Sequence, residues 1–353
     1  MSQHVHYANW WSKLLFKKSF ENQFYIPLPA TRIEMIIMHA IERFKFDLDH
    51  SQTKIDRPIF IVGLPRSGTT LLYNLLCAHE NSAYVTNSIN AFPTAICTIE
   101  WLRKKLNLDI RGERFLADSV ETDFGSPSEP IMFWGKWFGR DVESLYWEEK
   151  RIKDISAEKI DEIFSDIRKI LFSFAPNGKR FICKYPVLQT ELRLIQDIFP
   201  DAHFIHIVRD ARTTANSMVK LHEISNQQIQ KIKHPKIKYI VPYPRVKNLQ
   251  KYINEFGATD VRCTAHVWQD AIETVHECAK DLNNFFEIKY EILLASPKLS
   301  MLNVFNFCGM NWPENKKFDY EFAKIGKIRH KNNYGNFDVI QEITKETLTQ
   351  LGY

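Results

Sequence analysis

The sequence lacks the features that would place it among membrane-spanning, metal-binding or nucleic-acid-binding proteins. No apolar run approaches the ~20 residues that a spanning helix needs. The six cysteines are far apart, without a C-x-x-C pair, and several lie in apolar runs, which indicates buried thiols rather than metal ligands or disulfides. The chain has 47 basic and 42 acidic residues with its lysines spread out, so its net charge of +5 suits a small anionic ligand rather than nucleic acid.

The remaining composition indicates a globular protein. Apolar residues make up 44% of the 353 and aromatic residues 13%, enough for the core of one α/β unit with insertions. We expect an N-terminal helical extension over residues 1–55 and one domain over residues 56–353. The Trp- and Lys-containing stretch at residues 10–18 is expected either to contact a membrane surface or to pack on the body with its lysines in water. No signal-peptide pattern is present, so a reducing cytoplasm is the expected compartment.

One segment is more informative than any other. Residues 57–62 form an apolar, β-branched run that stops at a glycine loop, residues 63–70, and apolar residues at helical spacing follow. A strand, a glycine turn and a helix start leave backbone N–H groups free at the positive end of the helix dipole. We therefore expect a phosphate or sulfate group to bind at this loop.

The charged residues of the loop narrow the choice of anion. Nucleoside triphosphatases follow the second glycine with Lys, which holds the β- and γ-phosphates. Here Thr69 follows Gly68, and the loop's only cation is Arg66. The sequence therefore argues against the Walker A type of phosphate loop.

A second anion site is predicted downstream. Residues 202–208 read as a buried strand, Arg209 follows directly, and Asp210 is a plausible N-cap for the next helix. Ser217 lies two helical turns further, so it and Arg209 can face one ligand at the strand's carboxyl end. The planar fork of Arg donates two charge-assisted bonds to a phosphate.

These motifs resemble those of sulfotransferases that use 3′-phosphoadenosine 5′-phosphosulfate (PAPS). In that family Lys or Arg precedes Ser-Gly-Thr in the 5′-phosphosulfate loop, as Arg66 does here. The family also shows the interval between Arg209 and Ser217, where the pair grips the ribose 3′-phosphate. Further strands match, one ending in Lys-x-Pro at residues 184–186 and one in Tyr-Glu at residues 290–291, and the resemblance continues to the C-terminus.

The resemblance implies a P-loop NTPase-like three-layer α/β fold, with a central parallel sheet flanked by helices and a helical cap inserted at about residues 94–178. It implies in-line sulfuryl transfer from PAPS, without a metal ion, to a hydroxyl or amine of a small-molecule, lipid or carbohydrate acceptor. Tyr290 would contact the adenine, and Arg329 or Lys331 would complete the 3′-phosphate site. The implied donor contacts are Arg66, Ser67, Gly68, Thr69, Thr70, Arg209, Ser217, Tyr290, Arg329 and Lys331.

The catalytic groups form the less complete part of the pattern. Lys184, at a strand end, is expected to reach the sulfuryl group together with Arg66. Cytosolic sulfotransferases place a histidine where this chain has Pro186, and others use a Glu after the second strand, where residues 86–90 contain no acid. The general base is therefore sought among Glu121, Asp123 and Glu129, with His79 and Glu80 as further alternatives.

Other readings remain open on the sequence alone. Aromatic residues in the insertion either pack in the core or line an acceptor pocket: Phe133, Trp134, Trp137, Phe138, Tyr146 and Trp147. Residues 227–244 are predicted to form a mobile loop. The rival functions are a nucleotide-binding relative that lacks a base and a P-loop kinase or NTPase.

Overall fold

The structure is a computed structural model, and it describes residues 6–7, 9–10, 12–13, 24–25, 31–46, 50, 52–114, 121–140, 147–232, 239–241, 243–326 and 335–353. Within them the strands are β1 (His6–Tyr7), β2 (Phe24–Tyr25), β3 (Ile59–Val62), β4 (Ser82–Tyr84), β5 (Ile110–Arg114), β6 (Glu121–Thr122), β7 (Arg180–Lys184), β8 (His203–Val208) and β9 (Phe285–Lys289). The helices are α1 (Arg32–Phe46), α2 (Thr69–Cys77), α3 (Asn87–Ala91), α4 (Ile96–Leu106), α5 (Ile131–Phe138), α6 (Ala157–Ser173), α7 (Leu192–Ile198), α8 (Ala211–Ile232), α9 (Leu249–Phe256), α10 (Val261–Ala279), α11 (Tyr290–Ala295), α12 (Pro297–Cys308), α13 (Lys316–Phe322) and α14 (Phe337–Gln350).

The central sheet has five parallel strands in the order β4-β7-β3-β8-β9. Strands β3, β4, β7 and β8 are buried along their whole length, as expected when helices cover both faces of a parallel sheet. Alternate side chains enter different cores: Phe60 packs with α5 and α6 on one face, whereas Ile59 and Ile61 pack with α2 and α12 on the other. The predicted three-layer α/β fold is confirmed.

A smaller sheet forms outside the central one. Strands β1, β5 and β2 lie in that order, and β6 pairs with β5. The predicted N-terminal helical extension therefore also contains β1 and β2, and the predicted helical cap insertion also contains β5 and β6. Strands β1, β2 and β6 have only two residues each, which is too short to produce the alternating pattern by which a strand is recognised in sequence.

Several local predictions can be compared with the structure. Asp210 caps α8, because its Oδ1 accepts the Arg212 backbone N–H at 2.8 Å. The loop predicted over residues 227–244 was wrong at its start, since α8 continues to Ile232; residues 233–238 and 242 are outside the described ones. All six cysteines are buried free thiols, as expected. Among the described residues, no helix is both long and apolar enough to cross a bilayer.

The aromatic cluster of the insertion lies in the core. Phe133, Trp134, Trp137 and Phe138 are all buried and pack together and against neighbouring helices. The indole N–H of Trp137 donates to Asp166 at 2.8 Å, which satisfies its polar atom. These four residues therefore do not line an open acceptor pocket. Tyr146 is outside the described residues, and Trp147 is half-buried.

Candidate active site

The sequence motifs converge on one edge of the central sheet. The glycine loop follows β3, Lys184 ends β7, Arg209 follows β8, and Tyr290 follows β9. These four strands are parallel and adjacent, so their carboxyl ends meet at the same edge, where α/β proteins bind ligands.

The glycine loop requires glycine at two positions. Gly68 has φ 97°, in the left-handed region, and a Cβ there would lie 2.3 Å from Tyr290 Cδ2. A Cβ on Gly63 would lie 2.6 Å from the Ile207 carbonyl oxygen. Ser67 closes the turn, because its hydroxyl donates to the Leu64 carbonyl at 2.7 Å. Among the residues that the structure describes, no side chain caps the start of α2, so its first-turn N–H groups are available to an anion at this edge.

The second motif contacts the first directly. Arg209 Nη1 donates to the Arg66 carbonyl oxygen at 2.9 Å, and Arg66 Nε donates to Ser217 Oγ at 3.0 Å. The Arg209 guanidinium lies 4.5 Å from the centroid of the Tyr290 ring, whose edge packs on Gly68. Two strand ends thus join in one cationic site with an aromatic wall.

A tryptophan that the sequence reasoning did not assign to the site supports this arrangement. Trp268, on α10, is fully buried, and its indole N–H donates to the Arg209 carbonyl oxygen at 3.1 Å. This bond holds the backbone from which the arginine side chain projects. No sequence signal separates this tryptophan from other core residues, because only its tertiary partner makes it special.

A lysine and a carboxylate form the other half of the edge. Lys184 is buried, and its ammonium pairs with Glu129 Oε1 and lies 3.5 Å from Thr70 Oγ1. The segment before Glu129 is tied to the sheet, because the Ser128 N–H donates to the Val85 carbonyl at 2.8 Å. The Glu129 side chain keeps 34% of its exposure, so a substrate hydroxyl can approach it.

The other two predicted acids, Glu121 and Asp123, lie on a strand and in a turn. Glu121 is exposed on β6, opposite Glu113 of β5. Asp123 Oδ1 accepts the Gly125 N–H and the Ser126 hydroxyl, both at 2.9 Å, and so stabilises a turn. Of the three predicted acids, only Glu129 contacts Lys184.

The remaining predicted residues lie elsewhere or outside the described part. His79 follows the C-terminal end of α2, where its ring nitrogen contacts the Asn311 carbonyl at 3.1 Å, and Glu80 is adjacent. The length of α2 separates both from the loop. Arg329 and Lys331 are outside the described residues.

A histidine and glutamate network lies beneath the Arg209 side of the site. His206 Nδ1 and His276 Nε2 share Glu287 Oε2, at 2.9 and 2.6 Å. Burial lowers the pKa of His206, and the hydrogen bond to Glu287 raises that of His276. Burial alone would raise the pKa of Glu287, but hydrogen bonds from both imidazoles outweigh it and lower that pKa to about 2.

The possible metal-ligand atoms of His206, His276 and Glu287 lie within 4.8 Å of one another, which is close enough for them to bind one metal ion. The geometry is also complete as a hydrogen-bonded ion pair, in which one carboxylate oxygen serves both rings. Metal-bound histidines usually donate their other ring nitrogen, whereas the buried Nε2 of His206 has no partner in the described residues. We therefore describe these residues as a structural network.

Comparison with known proteins agrees with this architecture. Residues 58–314 match the model of the family described as the sulfotransferase family. The omega-hydroxy-beta-dihydromenaquinone-9 sulfotransferase of Mycobacterium bovis is 23% identical over 322 residues, which cover 85% of this chain and 76% of that protein. Protein-tyrosine sulfotransferase A of Caenorhabditis elegans is 21% identical, over 80% of this chain and 57% of that protein.

Solved structures share the fold. Sulfotransferase STF9 of Mycobacterium avium aligns with a TM-score of 0.51 at 14% identity, over 89% of this chain and 81% of that one. Sulfotransferase STF1 of Mycobacterium tuberculosis H37Rv aligns with a TM-score of 0.50 at 14% identity, over 87% and 80%. Since the family match spans most of the sequence and includes the loop, Lys184 and Arg209, the chain belongs to the sulfotransferase family, and it is an enzyme that transfers sulfuryl groups.

Proposed function

We propose that the protein takes the sulfuryl group from PAPS and transfers it in line to an acceptor hydroxyl, with Glu129 as general base and Lys184 as the cation beside the transferred group. The observation that carries this proposal is the contact of Lys184 with both Glu129 and Thr70. It puts an acid, a cation and the start of α2 together at one sheet edge. Sulfuryl transfer needs all three.

The donor's 5′ end would be held by the glycine loop. Arg66 supplies positive charge, and the N–H groups at the start of α2 supply donors that need no rearrangement. Ser67, Thr69 and Thr70 add hydroxyl groups, although the Ser67 hydroxyl already closes the loop.

The donor's 3′-phosphate would be held by Arg209 and Ser217. Both residues contact Arg66, and these contacts support their assignment to the same ligand as the loop. Tyr290 would face the adenine, because its ring already stacks against a guanidinium and covers Gly68. Arg329 or Lys331, from the segment before α14, would complete the phosphate contacts.

The chemical step then assigns one task to each group. The Glu129 carboxylate accepts the acceptor's proton while the acceptor oxygen forms a bond to sulfur. The bond between sulfur and the 5′-phosphate oxygen breaks, and the leaving nucleotide, 3′-phosphoadenosine 5′-phosphate (PAP), keeps the electron pair. The Lys184 ammonium and Arg66 stabilise the negative charge that develops on that oxygen.

The acceptor proposed is a small molecule, lipid or carbohydrate that carries a hydroxyl group. The names of the two relatives specify a hydroxylated menaquinone and protein tyrosine, both of which offer hydroxyl oxygens. We also propose a reducing cytoplasm as the compartment, supported by the six free, buried thiols.

The experiment combines calorimetry with sulfate transfer. Titration with PAP tests donor binding, and transfer of labelled sulfate from PAPS to a panel of alcohols and phenols tests chemistry. Glu129→Gln should bind PAP as the native protein does and lose at least about 100-fold in transfer rate. Absence of heat with PAP would refute the proposal that PAPS is the donor. Full transfer by Glu129→Gln would refute the proposal that Glu129 is the general base.

A further inference from the structure

Helix α1 carries a row of apolar side chains on its outward face. Ile33, Ile36, Ile37 and Phe44 are 71%, 61%, 54% and 93% exposed. Their spacing of three, four and seven residues puts them on one side of the helix. Isolated exposed apolar residues are ordinary, but an aligned row marks a surface that binds something.

The orientation of α1 is fixed from its other side. Met38 and Phe46 are buried there, and the buried Glu42 carboxylate accepts the backbone N–H groups of Cys97 and Thr98, at 3.2 and 2.7 Å. This carboxylate caps the start of α4. Rotating the apolar row inward would expose a core phenylalanine and break the cap, so the row stays outside.

The end of α4 extends the same region. Phe46 packs edge-on against Trp101, with ring centroids 6.2 Å apart, so the last turn of α1 lies beside the middle of α4. Lys45 from α1 and Lys105 from the last turn of α4 both lie over the Trp101 ring. Leu106 closes α4 and is 44% exposed. The Asn9 side chain donates to the Leu106 carbonyl at 3.0 Å, which puts the 63% exposed Trp10 beside it.

Exposed charges on these two elements are almost all of one sign. On α1 and the last turn of α4, the only exposed acid is Glu34. The exposed cations there are Arg32, Arg43, Lys45, Lys104 and Lys105. We call the apolar row together with these cations the basic apolar surface.

We propose that the basic apolar surface docks the enzyme on a membrane that contains anionic phospholipids. The isoleucines and Phe44 enter the boundary between headgroups and acyl chains, and the cations contact lipid phosphates. Interfacial helices have this combination of an apolar face and flanking Lys and Arg. Docking through this surface is independent of the reaction that the active site performs.

The charge of the basic apolar surface favours a membrane over a second copy of the chain as its partner. In a two-fold symmetric dimer, the same patch faces itself, so the five cations of one copy would meet those of the other. A surface rich in anionic phosphate balances that charge, and it also offers an apolar layer for the isoleucines.

The test is co-sedimentation with vesicles of phosphatidylcholine, with and without phosphatidylglycerol. The native protein should bind the anionic vesicles and lose binding as salt is raised. Ile36→Glu/Ile37→Glu should weaken the partition coefficient at least about tenfold, since two apolar side chains no longer enter the bilayer. Arg32→Gln and Arg43→Gln should each weaken it roughly fivefold.

A matched control separates this surface from general exposure. Leu299→Glu puts the same kind of charge at a residue of α12 that is 62% exposed, and it should bind vesicles as the native protein does. Equal binding by Ile36→Glu/Ile37→Glu would overturn the proposal, as would absence of native binding to anionic vesicles. A native dimer that Ile36→Glu/Ile37→Glu converts to a monomer would overturn it in favour of a second copy.

Discussion

Replacing Gly68 with alanine perturbs the glycine loop in two ways that can be measured separately. The residue has φ 97°, which costs an alanine roughly 1–2 kcal/mol. Its new Cβ would also lie 2.3 Å from Tyr290 Cδ2, whereas ordinary contact begins at 3.4 Å. The ring must therefore move by about 1 Å, and forced repacking of this kind costs roughly 1–3 kcal/mol.

The two contributions can be measured apart because the chain offers a matched glycine. Gly139, at the end of α5, has φ 64°, and a Cβ there would meet nothing within 4 Å. Gly139→Ala should therefore cost only the backbone part, about 1–2 kcal/mol. Gly68→Ala should cost about 2–5 kcal/mol, because it adds the contact with Tyr290.

The assay is urea unfolding of both variants, followed by a double-mutant cycle with Tyr290→Ala. Without the ring, Gly68→Ala should cost only slightly more than Gly139→Ala, because the next contact of its Cβ is Ile207 Cδ1 at 3.3 Å. PAP calorimetry adds a functional measurement: Gly68→Ala should weaken binding at least about tenfold, since the moved ring no longer supports Arg209. Gly139→Ala should leave PAP binding unchanged. Equal destabilisation by the two glycine variants would refute the packing of Tyr290 on the loop.

Three further predictions concern charge. Arg209→Ala should weaken PAP binding by roughly 1.5–3 kcal/mol, about tenfold or more, in calorimetry. Glu129→Gln should remove transfer from PAPS while leaving PAP affinity intact. The His276–Glu287 pair should stabilise the fold most between pH 4.5 and 6.5, the ordinary pKa values of its two groups. Its contribution is lost as pH rises through the raised pKa of His276, or falls towards the Glu287 pKa of about 2. Urea unfolding of native protein and His276→Gln should therefore differ by a few tenths to 1 kcal/mol near pH 5.5, and less at pH 9.

Each of these has a control. Arg262→Ala removes an exposed arginine that pairs with Asp260, and it should not change PAP affinity. Glu121→Gln, on the exposed β6, should keep full transfer. A native-to-variant stability difference that is constant from pH 5.5 to 9 would contradict the assignment of the His276 proton.

The loop and the cap of α8 could be predicted because their determinants are local. Gly68 takes a left-handed conformation directly before α2, and Asp210 accepts the backbone N–H of Arg212, two residues later. Both features depend only on residues that are close in sequence. The sequence predicted a central parallel sheet but not the order of its strands, and the two-residue strands of the smaller sheet were missed. Their pairing depends on residues as distant as β1 and β5, which no window of sequence compares.

The sequence by itself was enough to predict an anion site where β3 meets α2, since strand, glycine and arginine follow one another in the chain. Only the tertiary structure decided which acid lies beside Lys184: three carboxylates stand within nine residues, and of these Glu129 alone contacts Lys184, 55 positions later. It also decided that α1 turns its isoleucines outward, because a distant helix start binds Glu42 on the opposite side. Local spacing sets which groups are available, whereas packing between remote segments sets which of them meet.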